Sequence, residues 1–184
     1  MNTKEALPLS FDLAQILGVV VIAIFAVAPH LKKKPGMMLC IVLGNLLTVA
    51  EFSLLGAATE VAVIAISLVR SLAFYFYSRR EKRAPAWLLI LFMAAQAGAV
   101  FVTWKGWFCL LMLFDVGQTY GQWQTDLKIL RVSIIVTSVP IGVYNLLVHG
   151  YTGAVNSLVQ LLSAGAALWH RHYRKSRAAA AKSN

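Results

Sequence analysis

Apolar runs of about bilayer length recur along the whole chain, separated by short polar or turn-forming stretches. A helix needs about 20 predominantly apolar residues to cross the hydrocarbon core of a membrane. Seven runs are predicted on this basis: Leu13–His30, Met37–Leu55, Val61–Tyr77, Ala86–Trp104, Trp107–Trp123, Ile129–Val148 and Ala154–Trp169. Their separators carry the usual turn signals. Pro35-Gly36 closes the first return, Gly56–Glu60 the second, and Pro85 opens the fourth run, where a proline in the first helical turn costs little. Lys105-Gly106 precedes the fifth run, which is the weakest because Asp115, Gly117, Gln118 and Gly121 lie inside it. Pro140 and Gly142 predict a kink in the sixth.

The basic residues set the orientation. Cytoplasmic segments retain Lys and Arg, and with the N-terminus outside, fourteen of the seventeen fall on the cytoplasmic side. They are Lys32, Lys33, Lys34, Arg79, Arg80, Lys82, Arg83, Lys128, Arg131, Arg171, Arg174, Lys175, Arg177 and Lys182. Lys4 and Lys105 lie outside, and Arg70 lies within a span. Deleting the fifth run would put the two basic loops opposite the basic tail, so the asymmetry also argues for that span. Ala26-Val27-Ala28 resembles a signal-peptidase site, but Pro29 follows it, Glu5 and Asp12 precede it, and the lysines come after the apolar run. A retained first span is therefore expected.

Composition agrees with a polytopic membrane protein: 59% hydrophobic and 13% charged residues, with a mean hydropathy of +0.71. The net charge of +10 lies in short loops and a tail instead of on one face. That pattern points to the anionic membrane surface and its lipid headgroups, not to nucleic acid. Cys40 and Cys109 fall near opposite membrane faces, so no disulfide is expected. His149, His170 and His172 flank spans without acidic or thiol partners at ligand spacing, and neither a metal nor a cofactor is predicted. The five tryptophans fall near span ends, as an aromatic belt would place them.

An offset of 93 residues lays spans one to three on spans five to seven. Leu54 falls on Leu147, Thr59 on Thr152 and Leu68 on Leu161, and returns and basic ends coincide. The expected fold is an all-α membrane protein of seven transmembrane helices in a 3+1+3 parallel repeat, N-terminus outside and C-terminus cytoplasmic. Repeat one covers about 11–83, a linking helix about 85–104 and repeat two about 106–175. The tail 176–184 completes one membrane domain over 1–184. A homo-oligomer is compatible with this architecture.

Three blocks, LAQILGVVVIAIFAV, NLLTVAEFSLLGAATEVAVIAISLVRSLAFYF and IGVYNLLVHGYTGAVNS, resemble the bacterial inner-membrane YgjV family over most of the chain. The span pattern of that family is similar to the SWEET, PQ-loop and PnuC transporter group, and this resemblance implies a solute carrier. The family pattern has an Asn three residues before the third-span Arg and an Asn-x-x-Arg in the last span. This chain departs from it, with Ser67 and Arg70 at the first pair and Gln160 and Ser163 at the second.

Helical spacing shows which polar groups share a face. Gly44, Thr48 and Glu51 line up on span two beside Asn45; Ser67, Arg70 and Ser71 on span three; Asn156, Gln160 and Ser163 on span seven. The candidate substrate-binding residues are Arg70, Ser67, Asn156, Gln160, Glu51 and Asn45. A mid-span guanidinium can recognise an anionic or carbonyl-bearing solute, or it can form an ion pair with Asp115 or Glu51. Either carboxylate could also couple transport to protons. Asn45, Asn145 and Gln96 suit interhelical hydrogen bonds. The function expected is a small-solute transporter or facilitator; the alternative is a non-transporting interaction protein with a basic cytoplasmic face. No nucleophile–base pair or paired carboxylates suggest an enzyme.

Overall fold

The structure, a computed structural model, describes residues 3–54, 58–102, 106–147 and 151–180. Seven α-helices follow one another: α1 (Thr3–Val27), α2 (Lys34–Leu54), α3 (Ala58–Arg79), α4 (Ala86–Val102), α5 (Asp115–Trp123), α6 (Leu127–Leu147) and α7 (Tyr151–Ala180). A 3₁₀ turn, Ala28–His30, extends α1, and a 3₁₀ helix, Trp107–Phe114, leads into α5. Among the described residues there is no strand. Among the described residues, three segments are long and apolar enough to cross a membrane: Leu13–His30, Lys34–Leu54 and Leu127–Leu147. α4, also apolar, has 17 residues.

The distribution of side chains is that of a protein dissolved in lipid. Ile16, Val19, Ile90, Phe101 and Leu162 are exposed, whereas Arg70, Ser71, Thr119, Gln122 and Thr137 are buried almost completely. A water-soluble bundle of this size would bury the first group and expose the second. In a bilayer apolar contact with the surroundings costs nothing, and polar groups gain by facing one another.

The fifth run departs from a simple α-helical span, and its two halves explain why. Trp107–Phe114 is apolar throughout, while Asp115–Trp123 is polar on the face it buries, with Asp115, Thr119, Gly121 and Gln122 all inaccessible. Gly106, at φ 151, starts the segment in a conformation that side-chain-bearing residues rarely adopt. Eight 3₁₀ residues at about 2.0 Å each and nine α residues at about 1.5 Å reach roughly 30 Å, the thickness of the hydrocarbon core. The extended first half lengthens a short segment. α6 runs on through Pro140 as one helix.

Packing places α2 between α1 and α3, and α6 between α5 and α7. Two further contacts, α3 with α5 and α1 with α7, close the circuit, and α4 lies against α3, α5 and the 3₁₀ helix. Two glycines set the closest approaches. A Cβ on Gly44 would meet the Phe25 ring at 2.6 Å, and one on Gly121 would collide with Ser133 Oγ. Small residues at such contacts let membrane helices approach backbone to backbone. With Gly121 against α6, the other face of α5 is directed at α3.

Candidate functional site

That face of α5 carries Asp115, Thr119 and Gln122, spaced so that all three lie on one side of the helix. Arg70 and Ser71 of α3 meet it. Arg70 Nη1 donates to Asp115 Oδ2 at 2.8 Å and to Thr119 Oγ1 at 2.7 Å. The Arg70 side chain is 2% exposed. One step along, Asn45 Nδ2 of α2 donates to Ser71 Oγ at 3.1 Å, and Ser71 Oγ donates to Gln122 Oε1 at 3.2 Å. The relay ties α2, α3 and α5 together. The bonds to Asp115 and Thr119 both leave from one nitrogen, and Arg70 Nε and Gln122 Nε2 are buried without an acceptor. The site therefore holds an ion pair together with unspent donors, and buried polar groups are ordinarily hydrogen-bonded. A solute bearing carbonyl or carboxylate oxygens is the chemistry that such donors would accept.

The structure distributes the sequence candidates over two seams. Arg70, Asp115, Asn45 and Ser67 belong to the first, where the backbone carbonyl of Ser67 accepts from Asn45 Nδ2 at 3.4 Å. Glu51 makes no ion pair with Arg70. It is buried on α2 against α1, where a Cβ on Gly18 would lie 2.9 Å from its Oε1. Asn156, Gln160 and Ser163 lie on α7, which packs against α6 and α1. There the Ser163 hydroxyl donates to the carbonyl of Ala26, and Asn156 Oδ1 is buried without a donor. Gln96 is buried on α4, its Oε1 also without a donor. No group of three or more His, Cys, Asp or Glu residues gathers among the described residues. His149 and Val148 lie outside them, as do the return at Leu55–Ala57 and the break at Thr103–Lys105.

At one end of the bundle, basic side chains bind the last carbonyls of helices. Lys34 Nζ, at the start of α2, donates to the carbonyl of Gln122 at 2.6 Å and to that of Gln124. Arg131, in the second turn of α6, donates from Nε to Pro29 O at 2.7 Å and from Nη2 to Leu31 O at 2.8 Å. Terminal carbonyls of a helix have no intrahelical partner, and cations are favoured there by charge as well as geometry. Trp123 Nε1 donates to Ala84 O at 2.7 Å, and Arg83 lies over the Trp123 ring at 3.6 Å while donating to Gln124 Oε1 at 3.1 Å.

Sequence reasoning placed Lys34 and Arg131 among the loop charges, whereas Arg131 is 2% exposed and Lys34 is half-buried. It also passed over Thr119 and Gln122. Their signal was present: from Asp115, steps of four and three mark the face that the structure buries. Carbonyl acceptors leave no such trace, because any residue provides one.

No curated protein and no solved structure matches the chain. A family model described as bacterial inner membrane protein, Imp-YgjV, matches residues 12–176. That range contains the Arg70 seam, the Ser163 seam and both basic clamps. It also agrees with the outward apolar surface of the helices. The chain belongs to the Imp-YgjV family of bacterial inner membrane proteins and is a multi-pass protein of that membrane.

Proposed function

We propose that the protein is a small-solute carrier or facilitator, without enzymatic activity, in which two three-helix units linked by α4 move about the polar seams between them. The substrate class is one rich in oxygen acceptors, held by Arg70 together with Gln122. Membership of the family gives the location and no chemistry; the geometry supports the reading. The observation that carries it is a pair of contacts at repeat-related positions. Arg70 of α3 reaches Thr119 of α5, and 93 residues further on, Ser163 of α7 reaches Ala26 of α1, which stands 93 residues before Thr119. Element ends support the same relation. The offset carries both ends of α2, Lys34 and Leu54, onto both ends of α6, Leu127 and Leu147, and the start of α3, Ala58, onto the start of α7, Tyr151. Parallel repeats of this kind are a transporter architecture, with the substrate held at the repeat interface.

One observation favours a second reading. Arg70 is already paired with Asp115 in a buried seam, which is also how a bundle that only scaffolds other membrane components would hold itself together. Vesicles reconstituted with the purified protein separate the two. The carrier reading expects a labelled sugar, nucleoside, vitamin or small carboxylate to equilibrate faster than in protein-free vesicles. Flux unchanged for every class, with the protein folded, favours the scaffold.

A further inference from the structure

The two basic clamps obey the same repeat relation as the seams. Lys34 holds the carbonyls of Gln122 and Gln124; Arg131 holds those of Pro29 and Leu31. Pro29 and Leu31 stand 93 residues before Gln122 and Gln124, so the acceptors are equivalent pair by pair. The donors lie one helical turn apart in the repeat, since the equivalent of Lys34 is Leu127 and Arg131 follows it by four residues. Each clamp crosses between units. Lys34 reaches from α2 to the end of α5, and Arg131 reaches from α6 to the end of α1.

We infer that Lys34 and Arg131 form one reciprocal latch that closes the basic end of the bundle, and that both halves open in a single event. The inference rests on the reading of two units that move as bodies. Within such units neither clamp can separate alone: the helix ends that Lys34 grips belong to the body that carries Arg131, and the reverse holds as well. Opening this end strips four terminal carbonyls of their cations together. Trp123 and Arg83 join the α3–α4 connection to the end of α5, so that loop follows the first unit only by releasing Trp123. The latch supplies what a carrier needs at one end, a closed state held by a small number of polar links that a modest differential affinity can release.

Two backbone bonds report on the two sides. The amide of Leu31 donates to Ala28 O at 3.2 Å, and the amide of Gln124 donates to Tyr120 O at 3.1 Å; these amides are themselves repeat-related. Amide hydrogen exchange is to be measured on the purified protein in detergent without any solute, for Lys34→Met and for Arg131→Met. A charge-assisted hydrogen bond is strong enough that its loss raises local opening by about tenfold or more. The expected result is that either substitution accelerates exchange at both Leu31 and Gln124 by a similar factor, and that Lys34→Arg accelerates neither. Acceleration confined to Gln124 in Lys34→Met and to Leu31 in Arg131→Met overturns the latch and leaves two independent helix caps. Should Lys34→Met lose protection throughout the chain, Lys34→Gln, which keeps a donor, answers the same question. Because the experiment uses no solute, separate opening of the clamps leaves the carrier reading standing, while absent flux with joint opening rejects the carrier and retains the latch.

Discussion

Arg70 and Asp115 are 45 positions apart in the chain and 2.8 Å apart in the fold, both buried, one on each side of the seam between α3 and α5. In a medium of low polarity, two such charges stand or fall together. Removing one leaves the other uncompensated, at a cost of about 3–5 kcal/mol, whereas replacing both by apolar groups of similar volume is often close to neutral. Arg70→Met is therefore expected to lower the melting temperature in detergent strongly, and Arg70→Met with Asp115→Leu to restore most of the loss. A double variant as unstable as the single one would show that Thr119 and the rest of the seam depend on the charge itself.

Close approach of α5 and α6 depends on Gly121. A methyl group there would press into Ser133 Oγ and approach the Leu130 backbone at 3.3 Å. Gly121→Ala is expected to cost about 1–3 kcal/mol through overpacking. Adding Ser133→Gly should recover part of that by removing the nearest obstacle, a coupling that a double-mutant cycle on thermal stability will measure.

The relay from Asn45 through Ser71 to Gln122 predicts a smaller effect. Ser71→Ala removes two side-chain bonds and leaves the amides of Asn45 and Gln122 short of a partner in a buried seam. A loss of about 1–3 kcal/mol is expected. Asn45→Ala removes the first link and the long bond to Ser67 O but leaves Ser71 joined to Gln122, and should cost less; the order of the two melting temperatures checks it.

The distribution of basic residues predicts sidedness. A fluorescent reporter fused after Asn184 is expected to fold and fluoresce, since cytoplasmic segments keep their Lys and Arg and the tail carries several of them. A periplasmic phosphatase at the same place is expected to stay inactive. The reverse pair of results would invert the expected orientation, and with it the side that the Lys34–Arg131 latch closes.

Much of the fold could be read from hydropathy because a bilayer enforces it. Helix boundaries such as Lys34–Leu54 and Leu127–Leu147 fall where apolar runs meet turn-forming residues. The fifth run was harder, since hydropathy averages over a helix and cannot tell a polar residue facing lipid from one facing a partner. Asp115 was legible as a possible mate for Arg70, being another charge at similar depth. Thr119 and Gln122 needed the helical face to be followed from Asp115. The clamps could not be read at all: Lys34 and Arg131 look like ordinary loop charges until the carbonyls of Pro29, Leu31, Gln122 and Gln124 are brought to them by the closing of the bundle.

The central claim is that the Arg70 seam receives a solute, and a thermal-shift screen tests it most directly. A ligand that prefers the folded state raises its melting temperature. Sugars, nucleosides, vitamins and small carboxylates are to be tested on the wild-type protein and on the folded Arg70→Met, Asp115→Leu variant. One oxygen-rich class is predicted to stabilise the wild type and to leave the variant unchanged. Equal shifts in both proteins, or no shift from any class, would contradict a solute site at Arg70.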